Sequence, residues 1–161
     1  MTVGLIPGSF DPFHNGHLEV VERASLIFDE IVVAAIRNPQ KSGALFDLDE
    51  RREMIAESCA HLPKVRIVSI AKLLVEVAAD VGATAIVKGL RVVTDFESEL
   101  QMAQMNRSLS GVETLFIPTS SQHSFIASRL LVEVARFGGD VTPFVPPVVA
   151  KRLAEKFGSP S

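Results

Sequence analysis

The sequence predicts a doubly wound, Rossmann-like α/β fold, in which a five-stranded parallel sheet carries helices on both faces. Short apolar runs alternate with longer segments of helical period from end to end of the 161 residues. The apolar runs contain few charges, as strands covered on both faces require. The five predicted strands span residues 3–6, 31–36, 65–70, 85–87 and 114–117.

Helix signals fill the gaps between the predicted strands. Asp47 with Glu50 and Thr94 with Glu97 have the spacing of capping boxes, and Ser124 is predicted to cap the fifth helix. Two apolar stripes are expected to pack on the sheet. They consist of Val20, Ala24 and Ile27 in the first helix, and of Ile126, Leu130, Val134 and Phe137 in the fifth.

Length and composition predict a single domain over residues 1–161 in the cytoplasm. The chain is 47% hydrophobic and 22% charged, a balance typical of globular proteins. Its longest apolar run is far too short to cross a bilayer, and its beginning does not resemble a signal peptide. Cys59 is the only cysteine, so it is predicted to be a buried structural thiol.

The net charge argues against a nucleic-acid partner. The formal charge is −3, and neither Trp nor Tyr is present to stack on bases. A local cluster of basic residues remains compatible with phosphate binding.

The segment PGSFDPFHNGH, residues 7–17, joins the first strand to the first helix and carries the most information. Gly8 permits close approach of a ligand, Ser9 supplies a hydroxyl, and the helix start offers free amides to an anion. His14 and His17 flank Gly16, which leaves space for a phosphate between the imidazoles. Two histidines at this spacing are also compatible with half of a metal site or with simple packing of the helix start.

The context of the two histidines favours a phosphate site. The segment resembles the GxFDxxHxGH signature of the nucleotidyltransferase α/β phosphodiesterase superfamily, which implies that HxGH binds a triphosphate. Lys41 in a polar loop and Lys88 and Arg91 at the end of the fourth strand are ordinary surface residues when taken alone. At one edge of the same sheet they point to a shared crevice.

Further motifs make the chain resemble the bacterial phosphopantetheine adenylyltransferase family along nearly its whole length. They are NPQKSG, FDLDER, VKGLR, TDFESELQMAQMN and HSFIAS, in the family's order. The resemblance implies transfer of AMP from ATP to 4′-phosphopantetheine, which gives dephospho-coenzyme A. Implied substrate contacts are Ser9, Lys41, Leu74 and Lys88. Implied ATP contacts are Ser9, Phe10, His17, Gly89, Leu90, Arg91, Glu99, His123, Ser124, Phe125, Ile126, Ala127, Ser128 and Arg129.

The chain departs from the family pattern at a few positions. Ala127 and Arg129 replace residues of a serine-rich run, Ser98 stands where Tyr is frequent, and His14 stands where Thr is common. Two alternatives therefore stay open. One is a sister transferase that uses nicotinamide mononucleotide or a polyol phosphate, and the other is a catalytically silent nucleotide or coenzyme A sensor.

The expected reaction needs no enzyme nucleophile, so catalysis rests on positioning and charge stabilisation. His17 is expected to stabilise the transition state, while Lys41 and Lys88 hold the phosphates. Mg²⁺ is expected to be held mainly through ATP, with no protein metal site.

The resemblance also implies a homohexamer and feedback inhibition by coenzyme A. The fourth helix has two apolar stripes, which favours an oligomer contact unless the monomer buries both.

Overall fold

The computed structural model describes residues 1–37 and 43–161. The strands are β1 (Val3–Gly8), β2 (Glu30–Ile36), β3 (Val65–Ile70), β4 (Ala85–Leu90) and β5 (Glu113–Pro118). The helices are α1 (Asn15–Ala24), α2 (Leu48–Ser58), α3 (Leu74–Asp80), α4 (Val93–Ser110), α5 (Ser128–Arg136) and α6 (Pro147–Phe157), with a short 3-10 helix at Thr142–Phe144.

The strands form one parallel sheet in the order β3-β2-β1-β4-β5, which confirms the predicted fold class. Each predicted strand lies within an observed one. The strand order reverses between β1 and β4, so the crevice at which such sheets bind ligands opens beside the ends of these two strands.

Side chains of alternate strand residues enter two apolar layers on opposite faces of the sheet. In β2, Val33 and Ala35 belong to a large cluster that includes residues of α1, α2, α5 and α6. Val32 and Ala34 belong to a smaller cluster that includes Val77 of α3. The period of two in a strand explains this division, and it places helices on both faces as predicted.

Of the three predicted helix caps, the structure confirms one and contradicts two. Asp47 caps α2, accepting from the Glu50 N–H at 2.8 Å while the Glu50 carboxylate accepts from the Asp47 N–H at 2.9 Å. The box at Thr94 and Glu97 is wrong, because α4 begins at Val93 with Val92 as N-cap. The Ser124 cap is also wrong, since α5 begins at Ser128.

The apolar stripe assigned to the fifth helix is wrong for most of its members. Leu131 and Ala135 face the core, whereas Leu130, Val134 and Phe137 are exposed. The apolar residues of the helix cover one broad arc, and spacing alone does not identify which part of that arc meets the sheet. In the first helix, Val20 and Ala24 are buried, but the helix ends before the exposed Ile27.

Much of the apolar surface of α4 is exposed. Met102, Met105 and Leu109 are 55%, 57% and 58% exposed, and Phe96 is 40% exposed. The alternative in which the monomer buries both stripes of this helix is therefore wrong.

Cys59 is buried beside the core, as predicted. Burial, followed by the nearby carboxylate of Glu22, raises the pKa of the Cys59 thiol to about 12. In the described parts of the chain, every helix is too short or too polar to cross a membrane.

Candidate active site

A cleft of about 1620 Å³ opens at the carboxyl ends of β1 and β4. Its floor is formed by the β1–α1 turn, and its walls by the chain after residue 43, by the ends of β4 and α4, and by α5. The cleft therefore lies where the strand order predicts a ligand site.

Close packing shapes the β1–α1 turn at its glycines. Phe10 adopts a left-handed backbone conformation with φ 49°, and its ring folds back over Gly8. A Cβ atom on Gly8 would lie 2.8 Å from that ring, and one on Gly16 would lie 2.9 Å from Cε1 of His14. Both positions therefore need a residue without a side chain.

His14 and His17 form a capping box at the start of α1, with His14 as the N-cap residue. Nδ1 of His14 accepts from the N–H groups of Gly16 at 3.0 Å and of His17 at 3.3 Å. The His14 N–H in turn donates to Nδ1 of His17 at 3.1 Å. Because each Nδ1 accepts a hydrogen bond, a neutral ring carries its own proton on Nε2.

Both imidazoles are held in the neutral form. Burial, followed by the charges of Arg91 and His123, lowers the pKa of His14 to about 3. Burial, followed by His14, Arg91 and Lys88, holds the pKa of His17 well below its usual value. At neutral pH, His17 therefore offers the cleft an uncharged Nε2–H donor.

Lys88 and Arg91 reach the cleft from the end of β4, each beside an acidic residue of α4. Nζ of Lys88 lies 3.3 Å from Oε1 of Glu99. The Arg91 guanidinium pairs with Asp95 at 3.0 Å and donates to the carbonyl of Ile126 at 2.8 Å. These contacts hold two cations at fixed places beside the two histidines.

The start of α5 forms another wall of the cleft. The Ser128 hydroxyl donates to the carbonyl of Pro12 at 2.8 Å, which joins α5 to the β1–α1 turn. Arg129 and Arg136 are exposed and line the cleft with Val132 between them. Their spacing places them on one helix face, so this face is basic.

The loop after β5 is held by Glu19 of α1. Its carboxylate accepts from the Ser120 N–H at 3.1 Å and faces Nδ1 of His123 at 3.0 Å. Burial alone would raise the pKa of Glu19, but the hydrogen bonds from His123 and Ser120 outweigh it and lower that pKa. The loop is therefore fixed to the helix that carries the two histidines.

The predicted site residues divide into three groups. Those that line the cleft are Ser9, Phe10, His17, Lys88, Gly89, Arg91, Glu99, Ala127, Ser128 and Arg129. Those placed elsewhere are Leu74, Leu90, His123, Ser124, Phe125 and Ile126; of these, Leu74 lines a small neighbouring cavity with Lys88 and Glu99. Lys41 lies outside the described residues.

Several charged residues of the cleft escaped the sequence analysis. They are Asp11, Arg37, Arg51, Asp95 and Arg136. Arg136 was detectable, since it follows Arg129 by seven residues on the same helix. Asp11, Arg51 and Asp95 lie within the quoted motifs, but no motif assigns them a role. Arg37 reaches the cleft only through tertiary packing, which periodicity does not report.

Comparison with known proteins agrees with this geometry. The cytidylyltransferase-like family model matches residues 5–134. Over 159 residues the chain is 50% identical to the phosphopantetheine adenylyltransferase of Heliobacterium modesticaldum, covering 98% of this chain and 94% of that protein.

Two solved structures support the fold alone, because their sequence identity is low. A putative nicotinate-nucleotide adenylyltransferase from Vibrio parahaemolyticus has a TM-score of 0.67 and 16% identity, covering 98% of this chain and 94% of its own. A lipopolysaccharide core biosynthesis protein from Thermoplasma volcanium has a TM-score of 0.55 and 21% identity, covering 74% and 97%. From the family match and the near full-length relative, the chain belongs to the cytidylyltransferase-like family and, within it, to the phosphopantetheine adenylyltransferases.

Proposed function

We propose that the chain transfers the adenylyl group of ATP to 4′-phosphopantetheine, giving dephospho-coenzyme A and pyrophosphate in coenzyme A biosynthesis. The identity of 50% over 98% of the chain carries this proposal. The basic cleft at the ends of β1 and β4 supports it, because both substrates are anionic.

The reaction is a direct displacement at phosphorus. A phosphate oxygen of the acceptor bonds to the α-phosphorus of ATP, the bond to the β-phosphate's bridging oxygen breaks, and pyrophosphate leaves. Alignment of two bound reactants contributes ~7–11 kcal/mol to such a step. The chain needs to supply alignment and counter-charge rather than a nucleophile.

Three residues are proposed to act on the reacting phosphates. His17 donates Nε2–H to the transferring phosphate as charge develops there, which its neutral state and fixed Nδ1 support. Lys88 supplies a positive charge from β4, next to Glu99. Lys41 is proposed to hold the acceptor phosphate, as the family resemblance implies.

The remaining contacts are proposed in two sets. The proposed ATP contacts are Ser9, Phe10, His17, Gly89, Leu90, Arg91, Glu99 and residues 123–129. Of these, Leu90 and residues 123–126 do not line the cleft. Acceptor contacts are Ser9, Lys41, Leu74 and Lys88. Leu74 lines a cavity of about 20 Å³ together with Lys88 and Glu99, so it lies next to the proposed phosphate contact Lys88.

Mg²⁺ is proposed to arrive with ATP, whose phosphates hold it and whose charge it reduces. The cleft carboxylates are already engaged: Asp11 with backbone amides, Asp95 with Arg91 and Glu99 with Lys88. In residues 1–37 and 43–161, no three His, Cys, Asp or Glu side chains are grouped to bind a metal. We therefore propose that the ion is held mainly by the phosphates of ATP.

Other properties implied by the resemblance are proposals of the same standing. Residues 1–161 form one nucleotidyltransferase domain that acts as a homohexamer in the cytoplasm, with coenzyme A as feedback inhibitor. The exposed apolar surface of α4 supports association. The free thiol of Cys59 suits a reducing compartment.

The test is pyrophosphate release from ATP with a panel of phosphorylated acceptors. Phosphopantetheine is expected to give the highest turnover. Equal or higher turnover with nicotinamide mononucleotide would replace the proposal with a sister activity. Binding of ATP without pyrophosphate release from any acceptor would favour a sensor.

A further inference from the structure

Arg51 is a buried cation at the edge of the cleft that the proposed reaction does not use. It is only 4% exposed, yet it lines the cleft. Buried arginines are usually paired with a carboxylate. Arg51 forms no ion pair with any Asp or Glu of residues 1–37 and 43–161; its protein partners there are carbonyl oxygens.

The guanidinium of Arg51 joins three segments that meet below the cleft. Its Nη1 donates to the carbonyl of Ser9 at 2.7 Å and to that of Ile36 at 3.5 Å. Its Nε donates to the carbonyl of Asp47 at 3.3 Å. The short bond to Ser9 is the strongest of these, because charge-assisted bonds strengthen at such distances.

The bond to Ser9 falls next to the strained residue of the β1–α1 turn. A left-handed conformation at a bulky residue such as Phe10 costs about 1–3 kcal/mol and persists only where neighbouring contacts impose it. Arg51 holds the residue before Phe10. Asp11, the residue after Phe10, is also held in place. Its carboxylate accepts hydrogen bonds from the N–H groups of Leu45 at 2.8 Å and Phe46 at 2.9 Å.

Phe10 transmits this restraint to His17. The two rings meet edge to face with centroids 4.9 Å apart. A change in the turn therefore moves the surface on which the His17 imidazole rests. Arg51 is therefore connected to His17 through Ser9 and Phe10.

We propose that Arg51 is a positioning residue for adenylyl transfer. It holds the Ser9–Phe10 turn so that His17 faces the reacting phosphates, and its uncompensated positive charge favours anions in the cleft. The inference rests on the proposed function. The two contributions are separable, because lysine keeps the charge but lacks the planar fork that reaches several carbonyls at once.

Steady-state kinetics of Arg51→Lys and Arg51→Gln test the two contributions. For Arg51→Lys we expect KM for ATP and acceptor within about threefold of the parent. Its kcat should fall by up to about a hundredfold, the effect of a misplacement near 1 Å. For Arg51→Gln we expect the same loss of kcat together with a roughly tenfold rise in KM.

Arg152→Gln is the matched control. Arg152 of α6 also binds α2, through Glu50 and Glu53, but it does not line the cleft. Its kinetic constants should equal those of the parent. Parent kcat in Arg51→Lys, or an equal loss of kcat in the control, would overturn the proposal. If Arg51→Gln does not fold, Arg51→Lys decides the question alone.

A crystal structure of Arg51→Lys supplies a readout that needs no acceptor. The Phe10 backbone should leave the left-handed region, and the His17 ring should turn relative to Phe10. An unchanged turn in that variant would exclude a positioning role. A parent enzyme that releases no pyrophosphate would contradict the proposed function instead, and this structural comparison would still decide whether Arg51 sets the turn.

Discussion

The imidazoles of His14 and His17 stack with ring centroids 3.6 Å apart, while each Nδ1 accepts a backbone N–H at the start of α1. Burial is the main reason that both rings resist protonation, and for His17 the neighbouring His14 adds to the lowering of the pKa. The capping bonds also fix both tautomers. The donors proposed to bind phosphate at this helix start are therefore neutral, and their direction is set before substrate binds.

We expect His17→Ala to lower the single-turnover rate by roughly a hundredfold to a thousandfold, because one preorganised donor is lost. ATP affinity should stay within several-fold, since Lys88 and Arg91 still line the cleft. The control is His61→Ala, whose exposed ring pairs with Glu22 on the surface. A parent rate in His17→Ala would remove His17 from the transfer step.

The two buried histidines should make the protein less stable as the pH falls. Unfolded, His14 and His17 bind protons near pH 6.5, but the lowered pKa values keep both neutral when folded. The unfolded state then binds more protons, so the free energy of unfolding should fall as pH drops from 6.5 toward 3. The slope is at most about 1.4 kcal/mol per pH unit for each histidine.

Urea unfolding at a series of pH values measures this slope. The matched variant is His14→Thr, which keeps a capping oxygen while removing one of the two lowered histidines. Its slope should be shallower than that of the parent. Identical slopes would mean that His14 is not held neutral in the folded protein.

Arg129→Ala is expected to weaken ATP binding about tenfold, the effect of losing a charged hydrogen bond worth ~1.5 kcal/mol. Arg129 lines the cleft in the first turn of α5, where a cation opposes the helix dipole unless an anion is near. Acceptor affinity should barely change. Added salt should reduce the difference in ATP affinity between the parent and the variant.

Titration calorimetry gives the comparison, with the exposed Arg52, which does not line the cleft, changed to Ala as control. Unchanged ATP affinity in Arg129→Ala would make Arg129 a solvated surface residue. Ser128 and the α5 amides would then be the phosphate contacts of that segment.

The exposed apolar surface of α4 should be buried between subunits. We expect light scattering to report a hexamer at micromolar concentration and Met105→Glu to dissociate it, because an unpaired buried charge is strongly destabilising. Leu26→Glu is the control, since Leu26 is 85% exposed in the turn that follows α1. If the parent protein is a monomer at this concentration, the proposed hexamer is wrong.

The sequence predicts best what is contiguous in the chain. β1 and β2 are buried and apolar along nearly their whole length. β3, β4 and β5 contain charged or polar residues but keep a short apolar run, so the sequence predicts all five strands. Residues 7–17 carry Ser9 and His17 together. Arg51 was not found as a site residue, because its role depends on carbonyls of residues 9, 36 and 47 meeting in space. The outer face of α5 was misassigned since Leu130 and Leu131 are equally apolar.

The burial of Cys59 has a consequence for handling this enzyme with its proposed acceptor, which itself ends in a thiol. Exchange with disulfides requires an accessible thiolate, and a buried sulfur whose pKa is about 12 provides almost none at neutral pH. Cys59 is therefore not expected to form mixed disulfides with oxidised acceptor or product. A cysteine introduced at the rim of the cleft would then be the one reactive thiol of the chain. A fluorescent label attached to it would lie beside the proposed nucleotide site.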